Sequence, residues 1–419
     1  MPTANAHGPG FWGRTFRSLS VRNFRLFFIG QLISNTGNWL TIVGLTLLVL
    51  HLTKSGLAVG TLSACQFGPI LVLSPFAGVI ADRSNKRNLL FLTQGLEMCQ
   101  SFALGALAFM HHPPLLALYA IALAGGCIIA FDNPLRRSFV TEMVPEDHMP
   151  NAVTLYSALV NASRVFGPTI GGALIVTLGF GWAFTIDGIS YFAVIGALWM
   201  MRPEELRIAP VTLRGKGQVR EGVRYVLRTP ELFLVFVVLG IIGTLSYNFT
   251  VVFPLFVERS LHGGDASYTL LYSVFSVGSL IGALAVAQRT QVTVRSMTLG
   301  AGIFGVTLLA LAAAPNLASA FPIVLVVGLS SIVYTTTSTA IVQVRADPRM
   351  HGRVLALQSV LLIGTTPIGG PLLGAAADAF GDRAPLVIGG LAAIGAALFS
   401  ALYERRRVRQ VTAADIAPA

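Results

Sequence analysis

Runs of roughly twenty apolar residues alternate with short polar breaks along this chain, from about residue 22 to about residue 403. The hydrocarbon core of a bilayer needs about 20 residues of helix to cross it. The pattern predicts twelve spans, at about 22–50, 55–81, 88–110, 115–139, 151–178, 181–201, 231–257, 266–288, 296–314, 317–343, 354–379 and 384–403. The runs are continuously apolar and lack the every-second-residue alternation of a transmembrane β-barrel. The expected fold class is therefore an all-α membrane protein. Its boundaries read as a six-helix bundle over 1–201, a linker over 202–230, a second six-helix bundle over 231–403 and a tail over 404–419.

The linker holds the longest polar stretch. Within it, Val219, Val223, Val226 and Leu227 recur at helical spacing against charged residues. That spacing predicts a basic amphipathic helix on the cytoplasmic leaflet, with a plain connector as the alternative. The two halves carry a weak internal repeat. Gly167-Pro168-Thr-Ile-Gly171-Gly172 in span 5 is echoed about 203 residues later by Gly370-Pro371-Leu-Leu-Gly374 in span 11. A parallel repeat of this length fits two bundles related by an axis along the membrane normal. Each Gly-Pro pair removes a backbone donor beside a residue without bulk, which makes a bendable, closely packed locus.

Composition agrees with the pattern: 54% of residues are hydrophobic and 11% charged. The net charge of +11 would point to nucleic acid in a soluble protein. Here its placement says otherwise. With the N-terminus inside, the inward-facing segments hold 25 of the 29 Lys and Arg residues. The outward segments hold Lys54, Arg259 and Arg383, and Arg164 lies within a span. By the positive-inside rule both termini are cytoplasmic, in an inner or plasma membrane crossed many times. The case for a nucleic-acid partner goes with that. The first 20 residues contain no short apolar run followed by a small-residue cleavage site. Cys65, Cys99 and Cys127 all fall in apolar spans and read as core residues, not as a disulfide framework.

Enzyme chemistry finds no foothold. The chain has no Gly-x-x-x-x-Gly-Lys-(Ser/Thr) loop for nucleotide phosphates. It has no His/Cys set at metal spacing, and His111-His112 reads as interfacial. No cofactor and no metal are expected.

The most specific stretch is Gly78-Val-Ile-Ala-Asp82-Arg83-Ser-Asn-Lys86-Arg87-Asn-Leu-Leu90, where a span ends in an acid and a turn of three cations. It resembles the loop between helices 2 and 3 of the major facilitator superfamily. The resemblance extends over nearly the whole chain, to the drug and siderophore exporter branch that holds the enterobactin exporter and macrolide efflux proteins. It runs through the segments Asn23–Trp39, Asn133–Asp147, Arg164–Gly172, Ala183–Phe192, Glu221–Val226 and Gly352–Val354. It implies a twelve-helix, two-bundle secondary transporter, acting as a monomer on a small-molecule substrate with protons as partner. The expected activity is proton-coupled export by alternating access. A facilitator or importer of the same fold, such as a lysophospholipid flippase, and a transport-inactive sensor are the alternatives. Gly167, Pro168, Gly171 and Gly172 match the antiporter signature of this superfamily, with Ser163 where a further glycine is usual. The basic residue expected in the outer part of span 4 is missing.

The same resemblance has the acid of the 78–90 motif capping a helix in span 11 and its later cation meeting an acid in span 4. Gly78, Asp82, Arg83, Lys86, Arg87 and Asp132 are thus expected to form an inner gate, with a static topogenic cluster as the alternative. Intramembrane charges are costly and need a reason. Glu97 shares a face of span 3 with Gln94 and Ser101, and Asp187 lies in span 6. Both are candidates to carry a coupling proton, or to make a structural ion pair. Relatives often hold an acid where Asn38 stands, which adds weight to these two. Arg164 is expected to pair with Glu97 or Asp187, or to meet an anionic substrate. Gln31, Asn35, Asn38 and Trp39 in span 1, Tyr247 and Asn248 in span 7, Tyr334 in span 10 and Gln358 in span 11 are candidates to line a central cavity. Interhelical hydrogen bonding is their alternative. A cavity of amides, aromatics and one cation suits amphipathic molecules, anionic ones included.

Overall fold

The computed structural model describes residues 15–207, 218–287, 293–347 and 350–416. The N-terminal half consists of α1 (Arg22–Thr53), α2 (Gly56–Arg83), α3 (Lys86–Ala108), α4 (Leu115–Glu142), α5 (Met149–Leu178) and α6 (Phe180–Met200). A linker helix α7 (Gln218–Arg228) leads to α8 (Pro230–Leu245), α9 (Phe249–Leu255), α10 (Asp265–Ala287), α11 (Val294–Ala312) and α12 (Leu317–Arg345). The chain finishes with α13 (His351–Ile363), α14 (Thr366–Phe380) and α15 (Ala384–Ile416), the last running on through residues read as a tail. Among the described residues, eleven helical segments are long and apolar enough to cross a membrane. The twelfth crossing is α3, less apolar because it carries Lys86, Arg87, Gln94, Glu97 and Gln100.

Local sequence sets the turns. Ser55 accepts from the amide of Ala58 to start α2, and Asn85 accepts from the amide of Asn88 to start α3. Such caps satisfy amides that have no partner inside the helix. Gly179, at φ 83°, makes the sharp turn from α5 into α6.

Two spans read as continuous are broken. Span 7 splits between α8 and α9 at Ser246–Asn248. The Asn248 amide donates to the carbonyls of Thr244 (2.8 Å) and Gly243 (3.4 Å), and Ser246 donates to the carbonyl of Gly389 (2.7 Å). In lipid the backbone groups freed by a break need such substitutes. Span 11 splits between α13 and α14, where Pro367 offers no amide and Thr365 donates back to Leu361 (2.8 Å).

The halves meet along two seams, α5 against α10 and α2 against α14. At the second seam backbones nearly touch: a Cβ on Gly56 would lie 2.5 Å from the carbonyl oxygen of Gly374, and one on Gly60 2.4 Å from that of Gly370. Both members of the sequence repeat therefore sit at seams, Gly167–Gly172 on α5 and Gly370–Gly374 on α14. Only small residues allow that approach. The second half fills its core with aromatic rings, Phe249, Phe253, Tyr272, Phe275 and Phe304 among them. Phe249 and Phe275 stand 4.4 Å apart.

The linker helix is docked as well as amphipathic. Val226 is buried, Glu221 pairs with Arg353 (2.6 Å), and Tyr225 accepts from the amide of Asp347 (3.0 Å). Val223, Leu227 and the arginines 220, 224 and 228 stay exposed.

Candidate functional site

A polar ladder is built on one face of α3. Thr93, Gln94, Glu97 and Ser101 fall at positions one, four and eight residues apart and are all buried. At 1.5 Å per residue the ladder rises about 12 Å through the first bundle. At its lower rung, Asp132 of α4 accepts from Thr93 (2.7 Å) and Gln94 (2.9 Å). One turn on, Arg136 forms an ion pair with Asp132 and a second with Glu97 (2.8 Å). The same guanidinium donates to Gln31 (2.7 Å) and Asn35 (3.1 Å) of α1. Gln94 also donates to Glu97 (3.1 Å), whose other carboxylate oxygen is buried without a partner.

At the upper rung, Asp187 of α6 accepts from Thr41 (2.5 Å) and Ser101 (2.7 Å). Gly37 leaves it room, since a Cβ there would overlap the carboxylate at 2.1 Å. Among the described residues no cation pairs with Asp187. The ladder thus holds two kinds of acid: one bridged by an arginine, the other served by hydroxyls. A hydroxyl can donate or accept, so it can hold a carboxyl group in either protonation state.

Arg136 is the residue at the centre of this network that sequence reasoning missed. Placed beside Arg137 near a span end, it was counted with the inward-facing cations, yet it is 3% exposed and lies inside the bundle. The available signal was its four-residue spacing from Asp132 in an apolar run, which puts acid and base on one helix face.

One pairing in the gate expectation needs correcting. Asp132 pairs with Arg136 and not with Lys86. Lys86 instead pairs with Glu142 at the end of α4, both buried. Arg87 donates to the carbonyl of Leu198 (2.9 Å) and lies over the Phe91 ring. Gly78, Asp82 and Arg83 are on the last turns of α2, and their surroundings lie outside the described residues. Replacing Lys86 by Met leaves Glu142 without its counter-charge, and stability is expected to fall by about 3–5 kcal/mol. Thermal unfolding in detergent checks this, and the Lys86→Met, Glu142→Leu double variant is expected to recover most of the loss.

Arg164 pairs with neither Glu97 nor Asp187. Its guanidinium lies 5.4 Å over the ring of Trp39, and Trp39 in turn lies 6.1 Å from the ring of Tyr272 in the other half. The signature glycines seat these groups. A Cβ on Gly167 would strike Trp39 at 2.5 Å, one on Gly171 would crowd Leu40, and one on Gly172 would strike Thr269 of α10 at 2.1 Å. Pro168 is buried between them.

The remaining cavity candidates divide. Asn35, Asn38 and Trp39 are half-buried, and Gln31 is buried in the Arg136 network. In the second half, Asn248 closes the helix break and Gln358 donates to Thr339 (2.9 Å) between spans. Tyr334 is fully buried, and Tyr247 packs on Phe249 and Phe304. Bonding between spans is what the structure gives for Gln358, and bonding back within its own span for Asn248.

The far end, opposite the termini, is tied shut across the halves. Asp378 of α14 accepts from the amides of Gly56 (2.8 Å) and Leu57 (2.9 Å) and from the Ser55 hydroxyl (2.9 Å). Arg259 reaches Asp378 (3.0 Å), Asp382 (2.8 Å) and the carbonyl of Lys54, while Lys54 pairs with Glu258 (2.6 Å) and His51 with Asp265 (2.9 Å).

Residues 14–419 match the model of a protein family described as transmembrane secretion effector. The chain belongs to that family. Its members are transporters of the major facilitator type, in keeping with the resemblance read from the sequence. The enterobactin exporter EntS of Shigella flexneri is 26% identical, covering 94% of this chain and 95% of its own. The staphyloferrin A transporter of Staphylococcus aureus is 24% identical over 88% and 93%. The multidrug efflux pump Tap of Mycolicibacterium fortuitum is 26% identical over 86% and 90%. Among solved structures, a bacterial homolog of the human lysosomal transporter Spinster superposes with a TM-score of 0.73 at 16% identity, over 91% of this chain and 96% of that one. That likeness concerns the fold. This secretion-effector family member is thus a multi-pass membrane transporter.

Proposed function

We propose that this transporter exports amphipathic small molecules of siderophore or drug type across an inner or plasma membrane by alternating access, driven by protons moving inward. Both termini are cytoplasmic in this reading, so the tied end faces outward. The observation that carries the reading is the α3 ladder: buried carboxylates held by an arginine, amides and hydroxyls, in a chain similar along most of its length to proteins named as exporters. Buried acids inside a membrane bundle mark proton relays and ion paths. Glu97, with one free oxygen beside Arg136, and Asp187, with hydroxyls only, are the coupling candidates. Lys86, three residues after Arg83, ties α3 to Glu142 of α4 at the cytoplasmic end of the first half.

The test uses the full chain in proteoliposomes under an imposed pH gradient, with the dyes fluorescein and rhodamine 123 as probes. Glu97→Gln is expected to abolish gradient-driven dye accumulation while leaving exchange down the dye's own gradient. Full gradient-driven accumulation in that variant overturns Glu97 as the coupling site. Accumulation of neither dye by the unsubstituted chain counts against export of this class.

A further inference from the structure

Two arginines lie in the interior of the first half, and they are treated differently. Arg136 is enclosed by two carboxylates and two side-chain amides. Arg164, midway along α5, has no carboxylate within ion-pair distance among the described residues. Its neighbours are aromatic: Trp39 beneath the guanidinium and Tyr272, whose hydroxyl hydrogen-bonds with it. Its Nε is buried and donates to nothing. A guanidinium is always charged and has five donors in a planar fork. Tyr272 answers one side of the fork with a hydrogen bond, but the charge has no counter-ion and Nε no acceptor, and intramembrane cations of this kind mark substrate paths.

The placement adds to the charge. Arg164 and Trp39 belong to the first half and Tyr272 to the second, so a ligand held by the three would touch both bodies at the α5–α10 seam. The sequence invests in this geometry, because Gly167, one turn from Arg164, is the notch in which Trp39 sits. Beside it, Thr169 and Ser273 share a hydrogen bond across the same seam.

We propose that Arg164, Trp39 and Tyr272 form the recognition point of the cargo, and that the cargo is an organic anion: a carboxylate or phenolate received by the guanidinium, on a planar apolar body that lies against Trp39. The proposal rests on the export reading but extends it, since it fixes the sign of the charge carried.

Fluorescein and rhodamine 123 share a xanthene scaffold and carry opposite charges near neutral pH, so they separate the sign from the shape. Binding of each is measured by fluorescence anisotropy with the full chain in nanodiscs of zwitterionic lipid. Fluorescein is expected to bind at least about tenfold more tightly than rhodamine 123. Arg164→Gln is expected to lose that preference, and Arg164→Lys to keep part of it, because charge remains while the planar fork is gone. Arg164→Lys also guards against a glutamine variant that fails to fold, as does its elution profile. Equal binding of the two dyes, preference for rhodamine 123, absence of saturable fluorescein binding, or an unchanged preference in a folded Arg164→Gln each overturns the proposal. Gradient-driven accumulation of rhodamine 123 alone would leave the export reading standing and remove this one. Arg164-dependent fluorescein binding without gradient-driven movement would do the reverse.

Discussion

Arg136→Gln is expected to yield a chain that still inserts in the membrane but neither concentrates cargo against a gradient nor survives heating as the unsubstituted protein does. The side chain answers four groups at once: Glu97, Asp132, Gln31 and Asn35. Removing it leaves two carboxylates facing each other across α3 and α4 without a counter-charge. Breaking one side of a buried ion pair costs about 3–5 kcal/mol. Interhelical hydrogen bonds in membranes average only about 0.6 kcal/mol each, so the lost bonds to Gln31 and Asn35 are the smaller part. Stability and transport are separated by a triple variant in which Arg136, Glu97 and Asp132 become Gln, Gln and Asn. With no charge left to strand, its thermal midpoint is expected to return towards that of the unsubstituted chain. Its gradient-driven dye accumulation is expected to stay absent. Recovery of both together would mean that the network only holds the helices.

Asp378→Ala is expected to open the far end. One carboxylate there binds the start of α2 in the first half and Arg259 in the second. A carboxylate at a helix N-terminus contributes about 0.3–2 kcal/mol through the helix dipole, and hydrogen bonds to charged groups about 1.5–3 kcal/mol. Even about 1.4 kcal/mol of lost preference for the shut state shifts the ratio of shut to open forms about tenfold. Spin labels on cysteines replacing Leu52 and Phe380, both exposed at the far end of opposite halves, read the distance directly once Cys65, Cys99 and Cys127 are serine. A longer-distance population should appear in the alanine variant. An unchanged distance distribution would show that the glycine contacts of α2 and α14 close the far end unaided.

Periodicity made the ladder legible, and adjacency hid its partners. Gln94, Glu97 and Ser101 fall on one helical face whatever the rest of the chain does, so their direction could be read from spacing. Which groups meet them depends on how α1, α4 and α6 pack, and spacing within α3 says nothing of that. This is why Asp187 emerged with Ser101 and Thr41 as its partners and not Arg164. It also explains Lys86, which took the acid at the end of α4 because Asp132, nearly three turns further in, was already held by Arg136. The breaks in spans 7 and 11 escaped for a different reason. Hydropathy integrates over a whole crossing, and a gap of two or three residues restored by Thr365 or Asn248 does not lower it. Membrane class, helix order and the close packing at both Gly-Pro motifs were all within reach of pattern and repeat.

Every buried Lys, Arg, Asp or Glu among the described residues lies before residue 201, while the second half buries hydroxyls, amides and rings. The two halves therefore tolerate change unequally. A substitution in the ionic half strands a charge, whereas one in the aromatic half reshapes a wall by a ring or a methyl at modest cost. Variation among descendants of such a chain has most freedom in α8–α15, where altered fit leaves the charge network untouched, and least along the buried face of α3, whose side chains answer to α4 and α6.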